Sequence, residues 1–232
     1  MIAVGFEVAA AEGGKAAVRP FAESPALAER HLRTWSDERF DAVVIGRLHH
    51  RAEHLRWLTT RTRPGGDEVH SENDAALVAS LLAHGGAQRI GRLEGDFALA
   101  VVDREHRRLV ALRDPLGAYP LFWARTAGGP AVSTSIRPLT DRLPRVEPDS
   151  EFMADFLAFP IDSVAELPTT RTAYAGVQRL GPGSLLEADL ATGAVCTKAQ
   201  WDWEREIAPV SVESLEEAGA LVRARLEEAV AE

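Results

Sequence analysis

A chain of 232 residues fits one large domain or two small ones, and 46% hydrophobic residues are enough to bury a real core. The net charge of −9 argues against nucleic acid as the main partner, and no apolar run is long enough to cross a membrane. A single cysteine, Cys196, excludes a disulfide framework and a thiolate-rich zinc site, and residues 1–15 lack the pattern of a signal peptide, which points to the cytoplasm.

Ile2 to Val8 and Ala16 to Arg19 flank Glu12-Gly13-Gly14 and predict an N-terminal hairpin. Ser24-Pro25 is a plausible helix start, and the apolar spacing predicts a helix over Leu27 to Trp35. Ala42 to Leu48 reads as a buried strand, Arg51 to Leu58 as a helix, and Arg63 to Val69 as a loop. Glu72 to His84 places Ala76, Leu77, Ser80, Leu81 and Ala83 on a common face, which predicts a helix that stops at Gly85-Gly86.

Leu93 to Trp123 predicts two strands, a turn and a third strand inside a stacked-sheet core. Phe97, Leu99 and Val101 alternate with smaller residues, and Leu109 to Leu112 are apolar again. Pro120 lacks the N–H that a central ladder needs, so it opens a strand or lies on an edge. Gly117 supplies a backbone conformation that other residues reach only with strain. Arg113 and Asp114 stand beside this turn, where a local ion pair or side-chain-to-backbone bonds would fix the corner.

Asp149 to Phe159 predicts a helix with Asp149 or Ser150 as N-cap. Gly181-Pro182-Gly183 turns into a strand that pairs, through Ala191-Thr192-Gly193, with Val195 to Lys198. Trp201-Asp202-Trp203 leads into a linker that runs to Ser211. Ser214 then opens a long helix whose Leu215, Leu221, Val222, Leu226 and Val230 form a stripe without an evident partner.

Two further features invite a functional reading. Between Arg47 and Arg63 lie five arginines, three histidines and one acidic residue, either a docking surface for an acidic partner or a solvated helix face. His50 and His54 have helical i, i+4 spacing, but a zinc site needs a third ligand, for which His70 or Glu72 would serve, and no His-Glu-x-x-His pattern is present. The Gly-Gly pairs at 13, 65, 85 and 128 lack the flanking Ser and Asp of a phosphate cradle.

In order, these pieces resemble the N-terminal glutaminase domain of asparagine synthetases and their relatives, which are N-terminal-nucleophile amidotransferases. Asn73-Asp74-Ala75-Ala76-Leu77 stands in place of Ser-Asp-x-Glu-Val, and Leu93-Glu94-Gly95-Asp96-Phe97-Ala98 is similar to Leu-x-Gly-x-Phe-Ala. The segment from Arg113 and Asp114 through Gly117 to Pro120 and Leu121 resembles Arg-Asp-x-Leu-Gly-x-x-Pro-Leu, the most specific of the matches. Ser133 to Leu139 resembles a Ser-Glu-Ile-Lys-x-Leu element, Gly176 to Gly183 the Gly-x-x-x-Leu-Pro-Pro-Gly turn, and Trp201-Asp202 a closing Tyr-Trp pair. The implied fold is α+β: a four-layer αββα sandwich of two antiparallel sheets.

The resemblance implies that the catalytic parts are degenerate. The family needs an N-terminal cysteine, whose α-amino group assists attack on the glutamine amide, whereas Ile2 follows Met1 and no Cys, Ser or Thr precedes Ser24. The family's Asn-Gly-Glu, which forms the oxyanion hole and orients substrate, stands as Ile45-Gly46-Arg47. Asp74 matches the position that holds the glutamine ammonium group, and it also suits a first-turn charge facing a helix dipole.

The expectation is therefore a non-catalytic glutaminase-like domain over residues 1–203, with 204–232 as linker and first helix of an absent ATP-dependent synthetase domain. Neither a catalytic residue nor a metal ligand is expected in the chain itself. ATP and Mg are expected in the synthetase domain, which follows Glu232 as domain or separate chain, and a peptide is a possible substrate. The parent ligase would be of the lasso-peptide macrolactam cyclase or β-lactam synthetase type. A free-standing docking module is the alternative.

Overall fold

The computed structural model describes residues 4–10, 16–22, 25–61, 73–158, 169–202, 206–207 and 211–231. In chain order the elements are β1 (Val4–Ala10), β2 (Ala16–Ala22), α1 (Pro25–His31), β3 (Leu32–Ser36), β4 (Phe40–Leu48), α2 (Arg51–Thr59) and α3 (Asp74–Ile90). There follow β5 (Gly95–Asp103), β6 (Arg108–Arg113), β7 (Phe122–Thr126), β8 (Gly129–Ser133), α4 (Arg137–Thr140) and α5 (Ser150–Ala158). The chain continues with β9 (Val177–Arg179), β10 (Ser184–Asp189), β11 (Val195–Ala199) and α6 (Leu215–Ala231). Among the described residues the strands make two antiparallel sheets, ordered β2-β1-β8-β7-β9 and β11-β10-β6-β5-β4-β3.

Residue size along the central strands decides how the layers stack. Val44 of β4, Phe97, Leu99 and Val101 of β5, and Val110 and Leu112 of β6 pack with Leu58 of α2 and Leu77, Leu81 and Ile90 of α3. The alternate residues Val43, Ile45, Ala98, Ala100, Val102, Leu109 and Ala111 meet Val4, Phe6, Val8 and Val132 of the other sheet. Alanines between the sheets allow a close approach, and the larger side chains fill the space under the helices. On the far face, Ala9, Ala124, Ala131 and Val177 pack with Leu139 of α4. The result is an α+β fold of four layers, helix, sheet, sheet, helix, in which each fully buried large side chain contributes about 1.5–3 kcal/mol.

The chain crosses between the sheets three times, and the last two crossings are pinned at one place. Residues 113–121 carry it from β6 to β7, and residues 180–183 carry it back from β9 to β10. Arg113, 4% exposed, donates from Nε to the Tyr119 carbonyl, from Nη1 to Leu180 and from Nη2 to Gly117. One carboxylate oxygen of the fully buried Asp114 accepts the Leu116 and Ala118 amides, and its carbonyl accepts the Gly117 and Gly183 amides. Side-chain-to-backbone bonds thus fix the corner. Gly117 has φ +71, and a Cβ there would lie 3.0 Å from Pro182 Cγ.

Several expectations are corrected. The helix over Leu27 to Trp35 ends at His31, because Leu32 to Ser36 is a strand paired with Ile45 to Asp41 of β4. The helix predicted to stop at Gly85-Gly86 breaks only at Gly86 (φ 65, ψ −170) and resumes to Ile90, which is fully buried. Pro120 precedes β7, which begins at Phe122 and lies inside its sheet between β8 and β9. The strand after Gly181-Pro182-Gly183, β10, pairs with β11 as expected. The N-terminal hairpin pairs as expected over Val4–Ala10 and Ala16–Ala22. Ile2, the Glu12-Gly13-Gly14 turn, Ser24, the Arg63 to Val69 loop, Glu72, Phe159 and Trp203 lie outside the described residues.

Candidate functional site

The end of β4 gathers the positions expected to bear on chemistry. Ile45 is completely buried between the sheets, in one cluster with Val4, Phe6 and Leu32. Its side chain offers no hydrogen-bond donor or acceptor. Gly46 has φ +98, and a Cβ there would lie 2.0 Å from the Asp96 carbonyl oxygen and 2.7 Å from Tyr119 Cε2. Glycine is therefore required by the pairing of β4 with β5, whatever the site does. Arg47 is exposed and pairs in register with Asp96.

Beyond β4 the chain turns sharply into α2. The His49 amide donates to the Glu94 carbonyl at 2.9 Å, and His50 takes a left-handed conformation (φ 52) at the N-cap of α2. Arg51, the first residue of α2, donates from Nε to Asp74 Oδ1 at 2.8 Å. Asp74 opens α3, where Asn73 caps the helix by accepting the Ala76 amide. Asp74 is a first-turn carboxylate at a helix N-terminus, and the Arg51 guanidinium occupies the place where a ligand's ammonium group would bind.

The strand that would carry an N-terminal nucleophile is sealed against β8. Thr134 Oγ1 accepts the Phe6 amide at 3.0 Å, the Thr134 amide donates to the Phe6 carbonyl, and a Cβ on Gly5 would collide with that hydroxyl. A cleft of about 440 Å³ beside it is lined by Pro120, Phe122, Thr134, Ile136 and Tyr174 among others. Ile45, Gly46, Arg47 and Asp74 do not line it. Ile2 lies outside the described residues.

Among the described residues the two histidines have different partners. His54 is 5% exposed, its Nδ1 lies 2.8 Å from Arg89 Nη2, and its Nε2 is buried without a partner. Burial, and then the Arg89 charge, pushes His54 down to about 4, so its ring is neutral at pH 7. His50 faces Glu94 at 3.6 Å instead. His70 and Glu72 lie outside the described residues. Among the described residues, Asp103, Glu105 and His106 bring ligand atoms together, but Arg39 lies 3.4 Å from Asp103 and 2.9 Å from Glu105 and already supplies the positive charge. Cys196 is exposed on β11, remote in sequence from β4.

Residues 43–201 match the family described as Glutamine amidotransferase domain. The chain belongs to this family. Putative asparagine synthetases [glutamine-hydrolyzing] of Mycobacterium bovis and Mycobacterium tuberculosis are 32% identical over 147 residues, which are 63% of this chain and 22% of each relative. The chain thus corresponds to a minor part of those relatives' length. Among solved structures it is similar to glutamine phosphoribosylpyrophosphate amidotransferase from B. subtilis, with TM-score 0.48, 12% identity, and coverage of 85% of this chain and 43% of that one. A glutamine aminotransferase class-II domain protein from Silicibacter pomeroyi gives TM-score 0.42 at 12% identity, covering 90% of this chain and 99% of that one. This amidotransferase domain is related to asparagine synthetase, and among its described residues no helix is long and apolar enough to cross a membrane.

What sequence reasoning missed is the company these residues keep. The Arg51 partner of Asp74 was visible only as one cation in a basic stretch, and Tyr119 against Gly46 carried no signal at all.

Proposed function

We propose that this amidotransferase domain is non-catalytic and belongs to an ATP-dependent amide-forming ligase that does not take its nitrogen from glutamine. The observation that carries the proposal is Ile45, wholly buried and apolar where an amide donor would be needed. Loss of one oxyanion donor lowers a rate by about 10²–10³-fold, and the covalent route also needs a nucleophile, for which residues 1–23 offer no Cys, Ser or Thr. Arg47 replaces a substrate-orienting acid with a cation, and Asp74 is already paired with Arg51. The mycobacterial relatives are described as glutamine-hydrolyzing. The proposal departs from that description because of Ile45 and Arg47.

In the parent ligase, residues 204–232 lead into a synthetase domain where ATP and Mg are used. A substrate carboxylate attacks the α-phosphorus of ATP and expels pyrophosphate. An amine of the substrate then attacks the acyl adenylate, loses a proton and expels AMP. The lasso-peptide macrolactam cyclase and β-lactam synthetase types both fit this scheme. The test is AMP release by the full-length protein with candidate amine-bearing carboxylic acids, with and without glutamine. Product that forms at the same rate without glutamine supports the reading, and formation that requires glutamine and releases one glutamate per AMP overturns it.

A further inference from the structure

Among the described residues, a basic face assembled from two helices has no carboxylate within ion-pair reach of its arginines. Arg61, just past the end of α2, and Arg89, near the end of α3, both hold a guanidinium over the Trp57 ring, 4.1 and 4.7 Å from its centroid. Arg92 follows α3 and is exposed. Elsewhere Arg39, Arg104, Arg108 and Arg142 each lie within ion-pair reach of a carboxylate. Among the described residues no such pair engages Arg61, Arg89 or Arg92.

Two of the three cations, Arg61 and Arg89, are held in place by the Trp57 ring. Burial, and then the Arg92 and Arg61 charges, lower the Arg89 pKa, and the Glu53 charge opposes this only in part, so the group bears a repulsion that a further carboxylate would relieve. Arg89 is steadied from below by the neutral His54 ring. Gly85 leaves the space: a Cβ there would lie 2.7 Å from Trp57 Cη2 and 2.6 Å from Arg89 Cβ. Stacking on an aromatic ring fixes a guanidinium while its N–H groups still point outward, and that lowers the entropy lost when an anion binds.

We propose that Arg61 and Arg89, stacked on Trp57, together with Arg92 near Arg89, form a docking surface for a carboxylate-rich segment of a partner polypeptide. The basic stretch as read along the sequence is thereby redrawn, since Arg51 is committed to Asp74 and two of the three cations come from beyond it. Charge argues for this occupant. A chain of net charge −9 repels an extended polyanion such as nucleic acid, and stable attachment to an anionic membrane draws on larger basic clusters. Three neighbouring guanidiniums, two of them fixed on Trp57, match a few carboxylates on a protein surface. The proposal goes beyond the reading of the domain as non-catalytic and does not depend on it.

The test is fluorescence polarisation with a labelled short polyglutamate peptide, alongside a single-stranded oligonucleotide and phosphatidylserine vesicles. Wild type is expected to bind the peptide in a salt-dependent manner, and the double variant Arg61→Glu, Arg92→Glu to bind about tenfold more weakly or less. Both positions are exposed, and circular dichroism checks that the fold persists. Arg125→Glu, on β7, is the control and leaves binding unchanged. If the reversal disturbs the fold, Arg61→Gln with Arg92→Gln replaces it. Peptide binding insensitive to these changes overturns the proposal, as does equal or tighter binding of the oligonucleotide or the vesicles through the same arginines.

Discussion

Arg51 Nε donates to Asp74 Oδ1 at 2.8 Å and so joins the first residue of α2 to the first residue of α3. The carboxylate that would receive a ligand's ammonium group already has a cation against it. The bond is half-shielded, with side-chain exposures of 34% and 17%. A double-mutant cycle with Arg51→Ala and Asp74→Ala is expected to give a coupling of about 1 kcal/mol in urea unfolding, favourable to the pair. A coupling near zero would mean that the contact is incidental.

Arg113 should matter far more to folding than to any chemistry. Its three bonds end on carbonyls of Tyr119, Gly117 and Leu180, the last on the return crossing. Arg113→Ala leaves the buried Leu180 carbonyl and the half-buried Tyr119 and Gly117 carbonyls without this donor and is expected to lower stability by about 3 kcal/mol. Arg113→Lys recovers only part, because an ammonium cannot reproduce the planar fork. Equilibrium denaturation of the two variants measures both effects, and equal stability of all three proteins would contradict the assignment.

The end of β4 resists repair. Gly46→Ala puts a Cβ against the Asp96 carbonyl and imposes φ +98 on an L residue, so a loss of about 2 kcal/mol or more is expected. Ile45→Asn buries an amide among Val4, Phe6 and Leu32 and is expected to cost about 2–3 kcal/mol while creating no glutaminase activity. Thermal unfolding and a glutamate assay on the same preparation check the two halves of this expectation.

His54 predicts a specific acid sensitivity. In the folded chain its pKa is lowered to about 4 by burial and by Arg89, with Glu53 opposing and His50 adding slightly. The unfolded chain regains the ordinary value of about 6.5. Between these values the unfolded state binds a proton that the folded state refuses, so stability falls as pH drops from about 6.5 to about 4 and levels off below that. The contribution is about 3 kcal/mol over the window. His54→Gln should flatten the pH dependence of unfolding there, and an unchanged slope would show that this imidazole is not the group responsible.

How much of this was legible in the sequence depended on how local the cause was. β5 was readable because Phe97, Leu99 and Val101 alternate with small residues, and the structure uses that alternation to separate the helix-facing side from the inter-sheet side. Leu32 to Ser36 was not, since pairing with β4 overrides a helical spacing that α1 uses only up to His31. Gly85-Gly86 looked like a stop because a glycine pair usually ends a helix, yet Ile90 still finds the core after the break. Arg113 and Asp114 were recognisable as a corner, but not as the clasp on two of the sheet crossings, because Leu180 is 67 residues away. The basic face was misdrawn for the same reason: Trp57 is shared with an arginine from α3.

The central claim, that this amidotransferase domain does not hydrolyse glutamine, is tested most directly by glutamate release from saturating glutamine by the purified chain. The account predicts no release above the buffer blank, in the wild type and in Ile45→Asn alike. Saturable, enzyme-dependent release of glutamate by the wild-type chain would contradict it.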